Sequence, residues 1–161
     1  MIWVTLLLWA NSAAAPQQVQ RGDALFAERC AQCHALKGRG TAVGPDLSVM
    51  GRLPARAIAT AIRSTATQYV QTVKLKSGEA FPGMPLPGDE SHTKFYDVSK
   101  MPPELRQVES SDIQGASASQ NAWKHPPAVA NYADEQIADI VAYVRYAVTG
   151  SVKPVAAEDV E

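Results

Sequence analysis

Cys30-Ala31-Gln32-Cys33-His34 is the most informative stretch of this chain. It is a C-x-x-C-H pentapeptide and holds both cysteines of the 161-residue sequence. That spacing is the one through which c-type haem is attached. Two thiols add across the two vinyl groups of the porphyrin, and the adjacent histidine reaches the iron. The expectation is one covalent haem c, carried by Cys30 and Cys33, with His34 on the metal. A redox dithiol would need a βαβ context, and nothing before Cys30 reads as a strand. A structural zinc needs four ligands, and neither a second C-x-x-C nor an H-x-x-x-H is present.

Composition narrows the class. Apolar residues are 46% and charged residues 19% of the chain, as in globular proteins. The length suits one domain. A net charge of −1 offers no footprint for nucleic acid. With both cysteines taken by haem, no disulfide is expected. Residues 1–15 differ from the rest. Ile2-Trp3-Val4-Thr5-Leu6-Leu7-Leu8-Trp9-Ala10 is apolar, and Asn11-Ser12-Ala13-Ala14-Ala15 leads into Pro16. This pattern predicts a secretory signal peptide, although no Lys or Arg precedes the apolar run. The run is shorter than the roughly 20 apolar residues that span a bilayer. A membrane location follows only if the segment stays uncleaved as an anchor.

Periodicity outlines the rest. Residues 21–33 read as a helix, with Gly22, Leu25, Phe26, Arg29 and Cys33 at three- and four-residue steps. Residues 35–49 read as loop, punctuated by Gly38, Gly40, Gly44 and Pro45. Residues 54–64 read as a short helix beginning at Pro54. Val73-Lys74-Leu75-Lys76 alternates as a strand does, and Ser77-Gly78 is a turn. Residues 93–98 and 105–109 read as two more strands. The proline-rich residues 81–87 read as loop or sheet edge. Together they predict a small antiparallel β insertion over residues 70–113. Residues 110–121, rich in Ser, Ala, Gly and Gln, read as a connector. Residues 133–148 form the strongest helical pattern, with Ile137, Ile140, Val141, Val144 and Val148 on one stripe. Asp134 and Glu135 suit its first turn, and Gly150 its end. Residues 150–161 read as a flexible acidic tail.

These elements resemble those of a class I bacterial monohaem c-type cytochrome. The resemblance covers residues 20–64 and 122–149. Gly22-Asp23-Ala24-Leu25-Phe26 is similar to the family's first helix, Gly44-Pro45-Asp46-Leu47 to its proximal loop, and residues 134–144 to its last helix. It implies a mainly α fold, the cytochrome c-type helical fold around one haem, in a domain over residues 16–149. It implies that Pro45 packs on the haem and that a backbone carbonyl takes the ring N–H of His34. It implies a close crossing of first and last helices, with Gly22 and Phe26 against Ile140 and Tyr143. It also implies export to the periplasm, where the family receives its haem. The middle resembles, more loosely, the β segment inserted in some bacterial members before the distal loop.

The family usually places a methionine, followed by proline, at the sixth coordination position. The corresponding position here holds His125, followed by Pro126. Bis-histidine ligation by His34 and His125 is therefore expected. Met84 and Met101 also precede prolines and are the alternative ligands; their other reading is apolar loop packing. Trp123 reads equally as a wall or propionate partner of the haem and as packing under the insertion. Arg52 reads as a solvated arginine, His92 as a solvated loop histidine and Met50 as core.

Two strong axial ligands leave the iron no open position, so the expected function is electron transfer rather than catalysis. The alternative is a haem sensor or peroxidase-like enzyme with a labile distal site. Nothing else in the chain looks catalytic. The expected partners are redox proteins: a dehydrogenase, an oxidase or another cytochrome.

Overall fold

The computed structural model describes residues 16–64, 66–67, 69–118 and 123–161. The expected signal peptide, residues 1–15, lies outside them.

Helix α1 (Gln17–Leu25) runs directly into a wider π-type turn, Phe26–Cys30. Two short strands follow, β1 (Ala35–Leu36) and β2 (Arg39–Gly40), paired as a hairpin inside the stretch read as loop. A 3₁₀ turn, Leu47–Arg52, is capped by the Asp46 carboxylate, which accepts from the Ser48 N–H at 2.7 Å. Helix α2 (Ala55–Ser64) starts just after Pro54, where a missing N–H costs nothing. Strand β3 (Ala66–Thr67) leaves it. Strands β4 (Gln71–Leu75), β5 (Ala80–Leu86), β6 (His92–Asp97), β7 (Glu104–Glu109) and β8 (Ile113–Ala118) then form one sheet in the order β7-β6-β5-β4-β8. The chain returns through β9 (Trp123–Lys124), a short helix α3 (Pro127–Ala130) and the long helix α4 (Asp134–Thr149).

The first and last helices cross at Gly22. A Cβ there would lie 1.9 Å from the Asp139 carbonyl oxygen and 2.8 Å from Tyr143 Cβ, so the backbones touch where only glycine fits. The rings of Phe26 and Tyr143 meet beside it, centres 5.4 Å apart and planes tilted by 46°. Arg21 donates to both carboxylate oxygens of Asp139, at 2.7 and 2.9 Å, across the same crossing. Helix α4 is buried continuously from Ile137 to Val144. The expected single stripe is thus too narrow: α1, α2, the 3₁₀ turn and the C-terminal segment all pack on this helix. Its end matches expectation, with Gly150 left-handed at φ 73°.

The sheet revises the middle of the chain. It is a five-stranded structure over residues 71–118, larger than a small insertion, and the description "mainly α" is too strong for the whole chain. Its own core is Val73, Leu75, Phe81, Phe95 and Val108, with Phe81 and Phe95 edge to face at 5.9 Å. Residues 81–87, expected as loop or edge, lie largely in β5, the middle strand. The two prolines within β5, Pro82 and Pro85, are accommodated because each faces a neighbour that has ended. Pro82 sits opposite the end of β6, its carbonyl accepting from Val98 N–H at 3.0 Å. Pro85, three residues on, faces the other side, beyond the last β4 pair, Gln71 with Gly83.

The presumed connector supplies β8, which pairs along β4. Only Ser110–Asp112 separates β7 from β8, although they are opposite edges of the sheet. Five flat strands would hold those edges about 19 Å apart, while so short a link reaches roughly 14 Å. The sheet therefore curls strongly.

The expectation of a flexible tail is corrected. Val155 and Val160 are 3% and 1% exposed and belong to the helical core. Gln18 exchanges two hydrogen bonds with the Val155 backbone, at 2.7 and 3.0 Å. Arg63 donates to the Val160 carbonyl at 2.6 Å. Two apolar side chains and satisfied backbone groups outweigh the proline and the acidic residues of this segment. Among the described residues, no helix is long and apolar enough to cross a membrane.

Candidate functional site

The proximal half is built around the pentapeptide. The π-type turn ends at Cys30, whose carbonyl accepts from the N–H groups of Cys33, at 3.1 Å, and His34, at 2.8 Å. Val43 and Gly44 in turn donate to the Cys33 carbonyl, at 3.0 and 2.7 Å. This brings loop 43–46 under the imidazole. A Cβ on Gly44 would meet His34 Cε1 at 2.7 Å, so the ring packs flat against bare backbone. His34 Nδ1 donates to the Pro45 carbonyl at 2.7 Å. Burial chiefly, with His125 adding to it, pulls the His34 pKa down, and the Pro45 carbonyl works against that shift. The shift favours the neutral ring, and with Nδ1 donating to Pro45 it is Nε2 that offers a lone pair to a metal.

The distal half is presented by two tethers. Strand β3, just after α2, pairs with β9, just before His125, in the register Ala66 to Lys124 and Thr67 to Trp123. His125 Nδ1 then donates to the Ile62 carbonyl at 3.0 Å. Ile62 lies in the last turn of α2, where carbonyls have no partner within the helix. The two imidazole centres are 6.1 Å apart, at an interplanar angle of 65°. Trp123 stands edge-on to His125 at 5.9 Å.

Between the histidines lies a cavity of about 370 Å³. Cys30 and Cys33 open onto it, with Pro45, Trp123, Met50 and apolar side chains of α2 and α4. The insertion contributes Met84, Val98, Met101 and Pro103 to the same cavity. Every candidate named from sequence for the haem site thus meets in one place. His92 does not: it opens β6, with its ring nitrogens on Asp89, at 3.3 Å, and Glu109, at 2.9 Å. Arg52 is exposed and does not line the cavity.

The chemistry of this donor set fits a haem. A ring nitrogen sits about 2.0 Å from a bound metal, so two imidazoles on opposite sides of one ion have centres about 6 Å apart. Each Nδ1 is engaged by a carbonyl, which fixes the tautomer that leaves Nε2 for the metal. The slot is otherwise apolar, as a porphyrin face requires. The dithiol alternative fits poorly. Reactive thiols have lowered pKa values, whereas burial pushes Cys30 up to about 11, and Cys33 is raised by the same cause. Among the described residues, no group of three or more His, Cys, Asp or Glu could hold a separate metal ion.

Two parts of the site have no side-chain signature. The acceptor for His125 is a main-chain carbonyl, and the β3–β9 pair involves two residues a side. Only a helix end close to Ser64 hinted at an unpaired carbonyl there.

The cytochrome c family model matches residues 19–104. That span takes in the pentapeptide, the Pro45 loop, α2 and the first strands of the sheet. It stops short of His125 and α4. No curated protein matches the chain. With more than half of its length matched and its two cysteines on one wall of an apolar cavity, the chain belongs to the cytochrome c family of haem-binding electron-transfer proteins.

Proposed function

We propose that this chain is an exported monohaem electron carrier whose iron is bound by two histidines, His34 and His125. Cys30 and Cys33 would hold the porphyrin covalently, and Pro45, Trp123 and the apolar side chains of α2 and α4 would cover its faces. The observation that carries this reading is the imidazole pair, 6.1 Å apart, with each Nδ1 on a backbone carbonyl. When bound, the haem supplies one-electron exchange between ferric and ferrous iron. The chain's part is to hold the group between His34 and His125 and to keep water out. With no position for a substrate, the protein serves as a carrier rather than a catalyst, passing electrons to redox partner proteins. Export is supported by the apolar segment 2–10 and the small residues after it.

A second reading is favoured by one observation: Met84 and Met101 also line the cavity. A methionine on the sixth position would raise the reduction potential. Spectra of the ferric protein separate the two. Bis-histidine ligation gives a low-spin signal without a sulfur-to-iron charge-transfer band. A charge-transfer band would transfer the assignment to methionine. A high-spin signal with ready binding of carbon monoxide would replace the carrier by a sensor or peroxidase-like protein.

A further inference from the structure

His125 rests on the carboxyl end of α2, and that helix end is itself held from outside the cavity. Ile62 supplies the carbonyl. The next residue, Arg63, points the other way and gathers three elements. It donates to the Val160 carbonyl of the C-terminal segment at 2.6 Å and pairs with Asp134 in the first turn of α4. Its side chain is only 29% exposed. The strand that leaves α2 is also tied to the strand that delivers His125. The distal ligand and the helix end therefore form one unit, clamped by Arg63.

We propose that Arg63 is a positioning residue for His125 and that, through it, the carboxyl end of α2 sets the haem potential low. The inference rests on the bis-histidine reading above. Two effects act in the same direction. A carbonyl accepting from Nδ1 raises the basicity of the ligating imidazole. The end of a helix carries about half a negative charge, which favours ferric over ferrous iron. Both weaken if α2 frays or turns away from His125. Arg63 prevents this by fixing the last turn to α4 and to the C-terminal segment.

The test uses the full haem-loaded chain and reads the midpoint potential and the ferric electron paramagnetic resonance spectrum. An Arg63→Met, Asp134→Asn double variant removes the clamp without changing net charge. The expected result is a retained bis-histidine signal with the ferric-to-ferrous ratio at fixed potential reduced about tenfold, 59 mV upward for one electron. Arg63→Lys keeps the charge and one donor, and should recover part of that shift. If the double variant does not assemble, Arg63→Lys alone decides, by a smaller upward shift. An unchanged or lowered potential in a variant that keeps the bis-histidine signal overturns the inference. A wild-type spectrum without that signal defeats the ligation reading, and this inference with it.

Discussion

Replacing one side chain at position 125 should move the reduction potential more than any change elsewhere in the cavity. Imidazole donates strongly to ferric iron, while a thioether favours the ferrous state. On the proposed ligation, His125→Met leaves a donor in a site already tethered by the β3–β9 pair and should raise the potential, as measured by redox titration. An unchanged value would mean that His125 is not on the iron. The proximal imidazole is more constrained. Gly44 lies against its ring and Pro45 holds its Nδ1. The cysteine spacing and the Gly44-Pro45 pair were legible from sequence because they are local and their residue types are restrictive. The Ile62 carbonyl was not, because any residue at that position offers the same acceptor.

At the scale of the element, the α1–α4 crossing holds the helical body together. Gly22→Ala drives a methyl group into the Asp139 carbonyl at a distance no Cβ tolerates. The two helices would have to separate, and overpacking of this kind costs about 3 kcal/mol. Denaturant titration of the haem-loaded variant should show a lower midpoint with a similar slope; equal stability would mean that the helices slide freely. The helices themselves were readable, since apolar spacing, Pro54 and Gly150 mark them. Strand β5 was not. Its prolines argue against a central strand unless the neighbours are known to stop at Asp97 and Gln71. The alternation in Val73 and Leu75 was readable because those residues face the sheet core while Lys74 faces out.

Across the whole molecule, the cavity is walled by two bodies with separate cores. The helical core gathers α1, α2, α4 and the C-terminal segment; the sheet has its own. The five-stranded sheet lies between β3 and β9, so the pairing that delivers His125 also closes the base of the insertion. That places Met84 and Met101 at the cavity. The C-terminal segment belongs to the helical core, and Val160→Asp should release it. A carboxylate in place of a side chain 1% exposed in the apolar core loses its hydration, and the loss should be about 2–3 kcal/mol. Limited proteolysis should then cut within residues 150–161 faster than in the wild-type chain. The haem-attachment motif, the loop under His34 and the two crossing helices were readable along the chain, because each depends on residue types at short spacing. Strands β5 and β8, the packed C-terminal segment and the seat of His125 on α2 became visible only in the folded chain. Those depend on where neighbouring strands end, which apolar side chains find a cavity wall and which main-chain carbonyl lacks a partner, and none of these is a property of local sequence.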